Sequence, residues 1–371
     1  MKFRFLSKID TTLFIAIIIL ISLGLITIFS TSYSSVGTDF LNFKKQFIFS
    51  IIGIILMVGA SFFDYRALKN YTGLLYIIAC LILVAVLFFG ISIRGTTGWF
   101  NFGFFNFQPS EFVKIVVIII LAKYLSGTRN YLSDLKKIII SGIYVSLPIL
   151  LILLQPDFGS ALVISFIWLS MLFVSGTSKK YIALILFFGL ALLAGSWNYA
   201  LKDYQKDRII AFVNPQSDPL GSGYNVIQST IAVGSGNIWG KGLGHGSQSQ
   251  LNFLPEKHTD FIFAVIAEEM GLIGVALALG LFGIIFYRFF KIVSETQDNF
   301  GKLIVLGVSF MIIFHMTVNV GMNMGIMPVT GIPLPLISYG GSSLVSFLIM
   351  IGMVQSVYIK GRGYKIEKEE D

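Results

Sequence analysis

Leu254-Pro255-Glu256-Lys257-His258-Thr259-Asp260-Phe261-Ile262-Phe263 is the stretch where a polar part of the chain turns apolar. Residues 201–262 hold Asp, Glu, Lys, Arg, His and many Gly, and apolar runs of spanning length lie on both sides. A long loop between spans is expensive to keep unless it does something. This one delivers a carboxylate, Asp260, to the point where the chain re-enters the apolar phase. A carboxylate so placed is a candidate general base.

Working outward, runs of roughly 20 apolar residues read as membrane helices. Ten occur, at about 11–31, 46–63, 71–91, 109–126, 137–154, 158–176, 181–200, 261–287, 302–324 and 338–359. The chain is 55% hydrophobic and 12% charged, with a mean hydropathy of +0.83. That is about half the charged fraction of a soluble domain. The expected fold is all-α: one polytopic membrane domain over residues 1–371. It carries a large loop, 201–262, before the eighth helix and a charged tail at 360–371.

The net charge of +8 invites a nucleic-acid reading, but the positions of the charges argue against it. With the N-terminus inside, eighteen of the 27 Lys and Arg residues fall on cytoplasmic segments and eight on outer ones, and Lys114 lies within a span. This bias sets both termini inside and the 201–262 loop outside. No nucleic-acid partner is expected. No phosphate-cradling Gly-x-x-x-x-Gly-Lys-Ser/Thr motif, His/Cys metal cluster or haem signature occurs, which argues against ATP-driven transport. The one cysteine, Cys80, cannot form an intrachain disulfide. The first span is too long for a cleaved leader and reads as a retained helix.

Local signals place further elements. Pro109 suits the first turn of a helix. Short helices are expected around 204–213 and 224–233, with Gly-rich turns from Gly234 to Gly246. The tail from Lys360 reads as disordered.

Thr259 and Asp260 sit where a helix begins, so on spacing alone capping is favoured over chemistry. Nearby Glu256, Lys257 and His258 add polarity, and Glu268 and Glu269 lie two turns further into the span. An ionisable group in a span is a functional candidate. Glu111 and Lys114, three apart, pair on one helix face. That pair is either structural or part of a cavity wall. Arg94 and Arg208 are outer cations, which on their own usually are simply solvated; a lipid diphosphate would need cations like these, with or without a metal. His315, Asn319 and Asn323 share one helix face, and hydrogen bonds to a neighbouring helix are favoured over a proton relay. Ser338-Tyr339-Gly340-Gly341-Ser342-Ser343 opens the last span with a small-residue contact surface.

Seven segments carry a resemblance: Gln108-Pro-Ser-Glu-Phe-Val-Lys114, Gln155-Pro-Asp-Phe-Gly159, Arg208-Ile-Ile-Ala-Phe212, Gly223-Tyr-Asn-Val-Ile-Gln228, Gly240-Lys-Gly-Leu-Gly244, Phe253-Leu-Pro-Glu-Lys-His-Thr-Asp-Phe-Ile-Phe263 and Pro328-Val-Thr-Gly-Ile-Pro-Leu-Pro-Leu-Ile-Ser-Tyr-Gly-Gly-Ser-Ser343. In this order they resemble the SEDS family (shape, elongation, division and sporulation proteins). Thr330-Gly-Ile-Pro-Leu-Pro335 is similar to the elongation (RodA) branch more than to the division (FtsW) branch.

The resemblance implies a peptidoglycan glycosyltransferase of the bacterial cytoplasmic membrane. It implies ten helices, an extracytoplasmic active site and polymerisation of lipid II into glycan strands for cell elongation. Asp260 matches the family's essential acidic residue. Substrate contacts are expected from Arg94, Glu111, Lys114, Asp157, Arg208, Gln228, Lys241, Glu256, Lys257, His258, Thr259, Glu268 and Ser338. The expected partners are lipid II and the growing strand, a class B penicillin-binding protein and other elongation-complex membrane proteins. The cofactor expectation is a divalent cation (Mg or Mn) or cationic side chains in its place, and no organic cofactor. A lipid II flippase and a non-enzymatic scaffold for the penicillin-binding protein are the rival readings. The family often has Arg before the Trp of the second outer loop, where this chain has Gly98.

Overall fold

A computed structural model describes residues 9–34, 37–93, 95–128, 134–199, 203–219, 221 and 223–370. Helix α1 (Thr11–Ser32) leads through a two-strand ribbon, β1 (Tyr33–Ser34) with β2 (Gly37–Thr38), into α2 (Leu41–Phe62). A 3₁₀ turn, Tyr65–Ala67, opens α3 (Leu68–Phe89). The next connection is a small antiparallel sheet of β3 (Ile91–Ile93), β4 (Thr96–Asn101) and β5 (Asn106–Phe107). Then come α4 (Pro109–Thr128), α5 (Asp134–Leu154), α6 (Phe158–Val174) and α7 (Lys179–Tyr199). The large loop holds α8 (Asp203–Val213), α9 (Tyr224–Ser235) and the single turn α10 (Ser247–Gln250). Helices α11 (Ile262–Glu295), α12 (Asn299–Asn323) and α13 (Gly341–Glu370) complete the chain.

The chain is a membrane protein. Seven helical stretches are long and apolar enough to cross a bilayer: α1, α2, Tyr65–Phe89, α5, α11, α12 and Gly341–Gly361. The other three expected positions hold α4, α6 and α7. Helix α4 carries three charges (Glu111, Lys114 and Lys123), and α6 has only 17 residues. The sheet at 91–107 departs from the all-helical expectation. The tail departs as well: α13 continues as helix to Glu370, because its Lys- and Glu-rich end is made of good helix formers.

Helix α4 is the axis of the bundle. Val113, Lys114, Val116, Val117, Ile118, Leu121 and Ala122 are all buried, so it is covered all round. Helices α3, α5, α6 and α12 pack against it. Helices α2, α3 and α5 turn large apolar side chains such as Ile55, Phe88 and Leu154 outward. In a membrane those faces meet lipid. At the end of the bundle where α1 begins, Asp10 caps α1 through Leu13 N, pairs with Arg288 of α11 and exchanges backbone bonds with Gln355 of α13.

Helix α11 is broken at Gly271 (φ 63°, ψ −161°), one turn past the two glutamates. In an unbroken helix Leu272 N–H would donate to Glu268 O. Here Glu268 O accepts from Lys241 N at 2.9 Å and Glu269 O from Gly242 N at 2.9 Å, while Leu272 N donates to Asn237 O at 2.9 Å. The Gly-rich loop thus replaces the lost helical bonds, which apolar surroundings demand of every backbone group. Gly240 has φ +78°, and a methyl group there would collide with the Glu269 carbonyl. Gly240→Ala is therefore expected to destabilise the protein by about 3 kcal/mol or more through left-handed strain and overpacking. A melting temperature in detergent within 2 °C of the parent would refute this.

Candidate active site

The segment ahead of α11 is pinned at three successive carbonyls. Tyr339 N donates to His258 O (2.8 Å), and Ser338 Oγ donates to Thr259 O (2.7 Å). Asp260 O accepts from both Asn319 Nδ2 (3.1 Å) and Asn323 Nδ2 (2.9 Å). Ser338 is itself held, accepting from Leu334 N at 2.8 Å. The polar face of α12 therefore bonds to a neighbouring segment, and that segment is the one carrying Asp260.

Capping of α11, which spacing favoured for Thr259 or Asp260, is supplied from another helix. Ala264 N–H in the first turn donates to Asn323 Oδ1 at 3.1 Å. The half-buried Asp260 instead lines a cavity of about 550 Å³. Lys45 and Phe49 of α2 contribute to its wall, as do Thr96 and Trp99 of β4. Gln108, Asp157, Arg208 and Thr259 join them, with Pro328–Gly331 and Tyr339–Ser343 along another side.

Asp157 caps α6 through Ser160 N (2.9 Å), and its second oxygen accepts from Gln108 Nε2 (3.2 Å). Its carboxylate is thereby fixed in orientation. Gly331, with φ +74°, adjoins the Asp260 carboxylate and leaves it room, since an added methyl there would lie 3.7 Å from Oδ2.

The structure thus brings together Asp157, Arg208, Thr259 and Asp260. Several other expected contacts are engaged elsewhere. Glu111 and Lys114 form a buried pair at 2.7 Å and do not line the cavity. Lys241 pairs with the fully buried Glu268 at 2.9 Å, and Glu268 also accepts from Gln248 N and Ser249 N. Lys257 Nζ donates to Ser249 O and Asn252 Oδ1. Glu256 is exposed and accepts from the Thr259 hydroxyl, while Gln228 is half-buried on α9. Ser338 and His258 act on the backbone beside the cavity. Arg94 lies outside the described residues. Sequence reasoning missed Lys45 as a site residue. Its signal was an outer-side Lys44-Lys45 pair at the head of a span, against the prevailing charge bias.

His258 Nδ1 lies 2.9 Å from Thr31 Oγ1. Burial pushes its imidazole down to about 4; the Lys257 ammonium pushes the same way and Asp39 opposes. Burial also lowers the Lys257 amine, with Glu269 opposing. Unfolding restores the ordinary histidine value of about 6.5. The unfolded chain then binds the extra proton, so stability falls as pH drops from about 6.5 to about 4 and is level outside that window. The loss is at most about 3 kcal/mol. Melting curves of the parent and His258→Gln between pH 7.5 and 4.5 check this. Equal pH slopes would show His258 is not responsible.

The sequence model of a cell cycle protein family, that of FtsW, RodA and SpoVE, matches residues 10–362. The peptidoglycan glycosyltransferase MrdB of Escherichia coli K12 is 37% identical over 350 residues, covering 94% of this chain and 93% of the relative. Stage V sporulation protein E of Bacillus subtilis 168 is 37% identical, with 94% and 96% covered. A chain of a solved peptidoglycan synthase complex, described as coordinating polymerization and crosslinking, superposes with a TM-score of 0.79. It is 34% identical and covers 95% of this chain and 98% of its own.

Proposed function

The chain belongs to the cell cycle protein family of FtsW, RodA and SpoVE, and on that premise we propose that it is a peptidoglycan glycosyltransferase. It polymerises lipid II into glycan strands at the outer face of the bacterial cytoplasmic membrane, for cell elongation. The carrying observation is Asp260 at the wall of a cavity that also holds Arg208 and Asp157.

The reaction is an inverting glycosyl transfer. Asp260 takes the proton from the 4-hydroxyl of the acceptor N-acetylglucosamine. That oxygen forms a bond to the anomeric carbon of the donor N-acetylmuramic acid. The bond from that carbon to the diphosphate oxygen breaks, its electrons stay on the diphosphate, and undecaprenyl diphosphate departs. One base and a stabilised leaving group suffice for inversion. Ten spans with both termini inside, and α4, α6 and α7 among them, put the 201–262 loop and Asp260 on the outer side. The prenyl tail then stays in lipid while the sugars reach the cavity.

A class B penicillin-binding protein is the proposed partner, with other elongation-complex membrane proteins around the pair. The solved complex that this chain resembles supports the pairing of polymerisation with crosslinking. Among the described residues no group of three His, Cys, Asp or Glu side chains is placed to cage a metal. Mg or Mn, if required, would arrive as a counter-ion of the substrate phosphates, held by few protein ligands.

Incubating the purified protein and its partner with purified lipid II tests the function. Glycan strands are the expected product. A protein that moves lipid II across vesicles yet makes no strands would favour the flippase reading.

A further inference from the structure

We infer that Lys45, together with Arg208, binds the diphosphate of the prenyl-linked sugar; this rests on the glycosyltransferase reading. A departing diphosphate must have its growing charge met by cations. The sequence offers several cations for the task, and the fold engages three of them elsewhere. Lys114 is committed to Glu111, Lys241 to Glu268, and Lys257 to Ser249 O and Asn252. Lys45 and Arg208 are the cations of the described residues that line the cavity with Asp260.

Lys45 stands out by its surroundings. It is half-buried on α2, and among the described residues its ammonium has no carboxylate or hydrogen-bond partner. Phe49 lies one turn along the same helix face and meets Phe105 edge-on at 6.2 Å, and Ile93 also lines this part of the cavity. An ammonium beside apolar walls gives up hydration and regains it only from water or an anion. Cation and apolar wall side by side match a ligand that is both: a diphosphate on a hydrocarbon chain.

The backbone around Lys45 is rigidly tied to the base. The neighbouring Gln46 donates from Nε2 to Ser338 O (3.1 Å) and accepts Gly340 N at Oε1 (3.1 Å). Ser338 Oγ in turn holds Thr259 O, next to Asp260. Two short links therefore set the head of α2 against the segment that carries the carboxylate. The charge that the breaking glycosidic bond leaves on the diphosphate oxygen then develops in the cavity that Lys45 lines.

The test is binding of undecaprenyl diphosphate, undecaprenyl monophosphate, undecaprenol and inorganic diphosphate to the full chain in phosphatidylcholine nanodiscs. Lys45→Ala and Lys45→Met are expected to bind undecaprenyl diphosphate about 10- to 100-fold more weakly, as loss of a charged contact implies. Undecaprenol binding stays unchanged, and Lys45→Arg retains most of the diphosphate affinity. Lys45→Met keeps the aliphatic stem, so it separates loss of charge from loss of packing. Inorganic diphosphate binding much more weakly than the prenyl form would identify the lipid-linked source. Parental affinity for undecaprenyl diphosphate in both neutral variants overturns the proposal. Strand synthesis by the parent is scored separately. A parent that polymerises lipid II while its neutral variants bind normally sinks the Lys45 site alone. A parent that makes no strands, yet binds the diphosphate through Lys45, sinks the function and leaves the site standing.

Discussion

Asp260→Asn is expected to lower glycan polymerisation by about 10²- to 10⁴-fold, the usual contribution of a positioned general base. The substitution keeps shape and removes the proton acceptor. The fold should survive it, because the carbonyls of His258, Thr259 and Asp260 keep their bonds to Tyr339, Ser338, Asn319 and Asn323. The first turn of α11 is satisfied at Ala264 by Asn323. Melting temperature should therefore stay within about 1 kcal/mol of the parent in stability terms. Asp260→Ala should match Asp260→Asn in activity. A polymerisation assay on lipid II with the partner present checks both. Strand synthesis by Asp260→Asn at the parental rate would remove the carboxylate from the mechanism.

Asn323→Ala should damage stability and rate together, for a different reason. The Asn323 side chain is buried, donates to Asp260 O and accepts from Ala264 N, so one amide joins α12, α11 and the base-bearing segment. Truncation leaves Ala264 N–H unpaired and Asp260 O with Asn319 alone. The orphaned buried N–H costs about 1–3 kcal/mol and the lost bond to Asp260 O about 1 kcal/mol more, so a total of about 2–4 kcal/mol is expected. Strand synthesis should fall through kcat more than KM, since the substrate-lining residues remain while the base loses its bracing. A truncated variant that melts and polymerises like the parent would refute the bracing role.

Seven of the ten expected spans meet helices long and apolar enough to cross a bilayer, because a bilayer imposes a one-dimensional rule: about 20 apolar residues, read without knowledge of neighbours. The short helices of the outer loop were legible too. The expectations at 204–213 and 224–233 meet α8 at Asp203–Val213 and α9 at Tyr224–Ser235. Asp260 could be singled out because it stands at the boundary between polar loop and apolar run. The polar stripe of α12 was visible as spacing, and its preference for interhelical bonds followed from the cost of unpaired groups in lipid.

What spacing could not supply was the partner across the bundle. Asn323 is 63 residues from Asp260 and Gln46 is 292 from Ser338, yet each pair is bonded. The break at Gly271 looked like one glycine among many in a spanning run, and only the inserted loop at 237–242 makes it tolerable. The outer sheet was hidden because three short strands of a Gly- and aromatic-rich connection carry little alternation to read. The cations show the same division. The charge bias predicts an outer position for them, but the group each one meets depends on the packing of distant helices. Hydropathy is a property of each residue against its solvent, so the sequence alone determined the membrane class, the orientation bias and the acid at the boundary. Hydrogen bonds and ion pairs are properties of atoms brought within about 3 Å. Only the tertiary structure decided which cations line the cavity with Asp260 and which lie away from it.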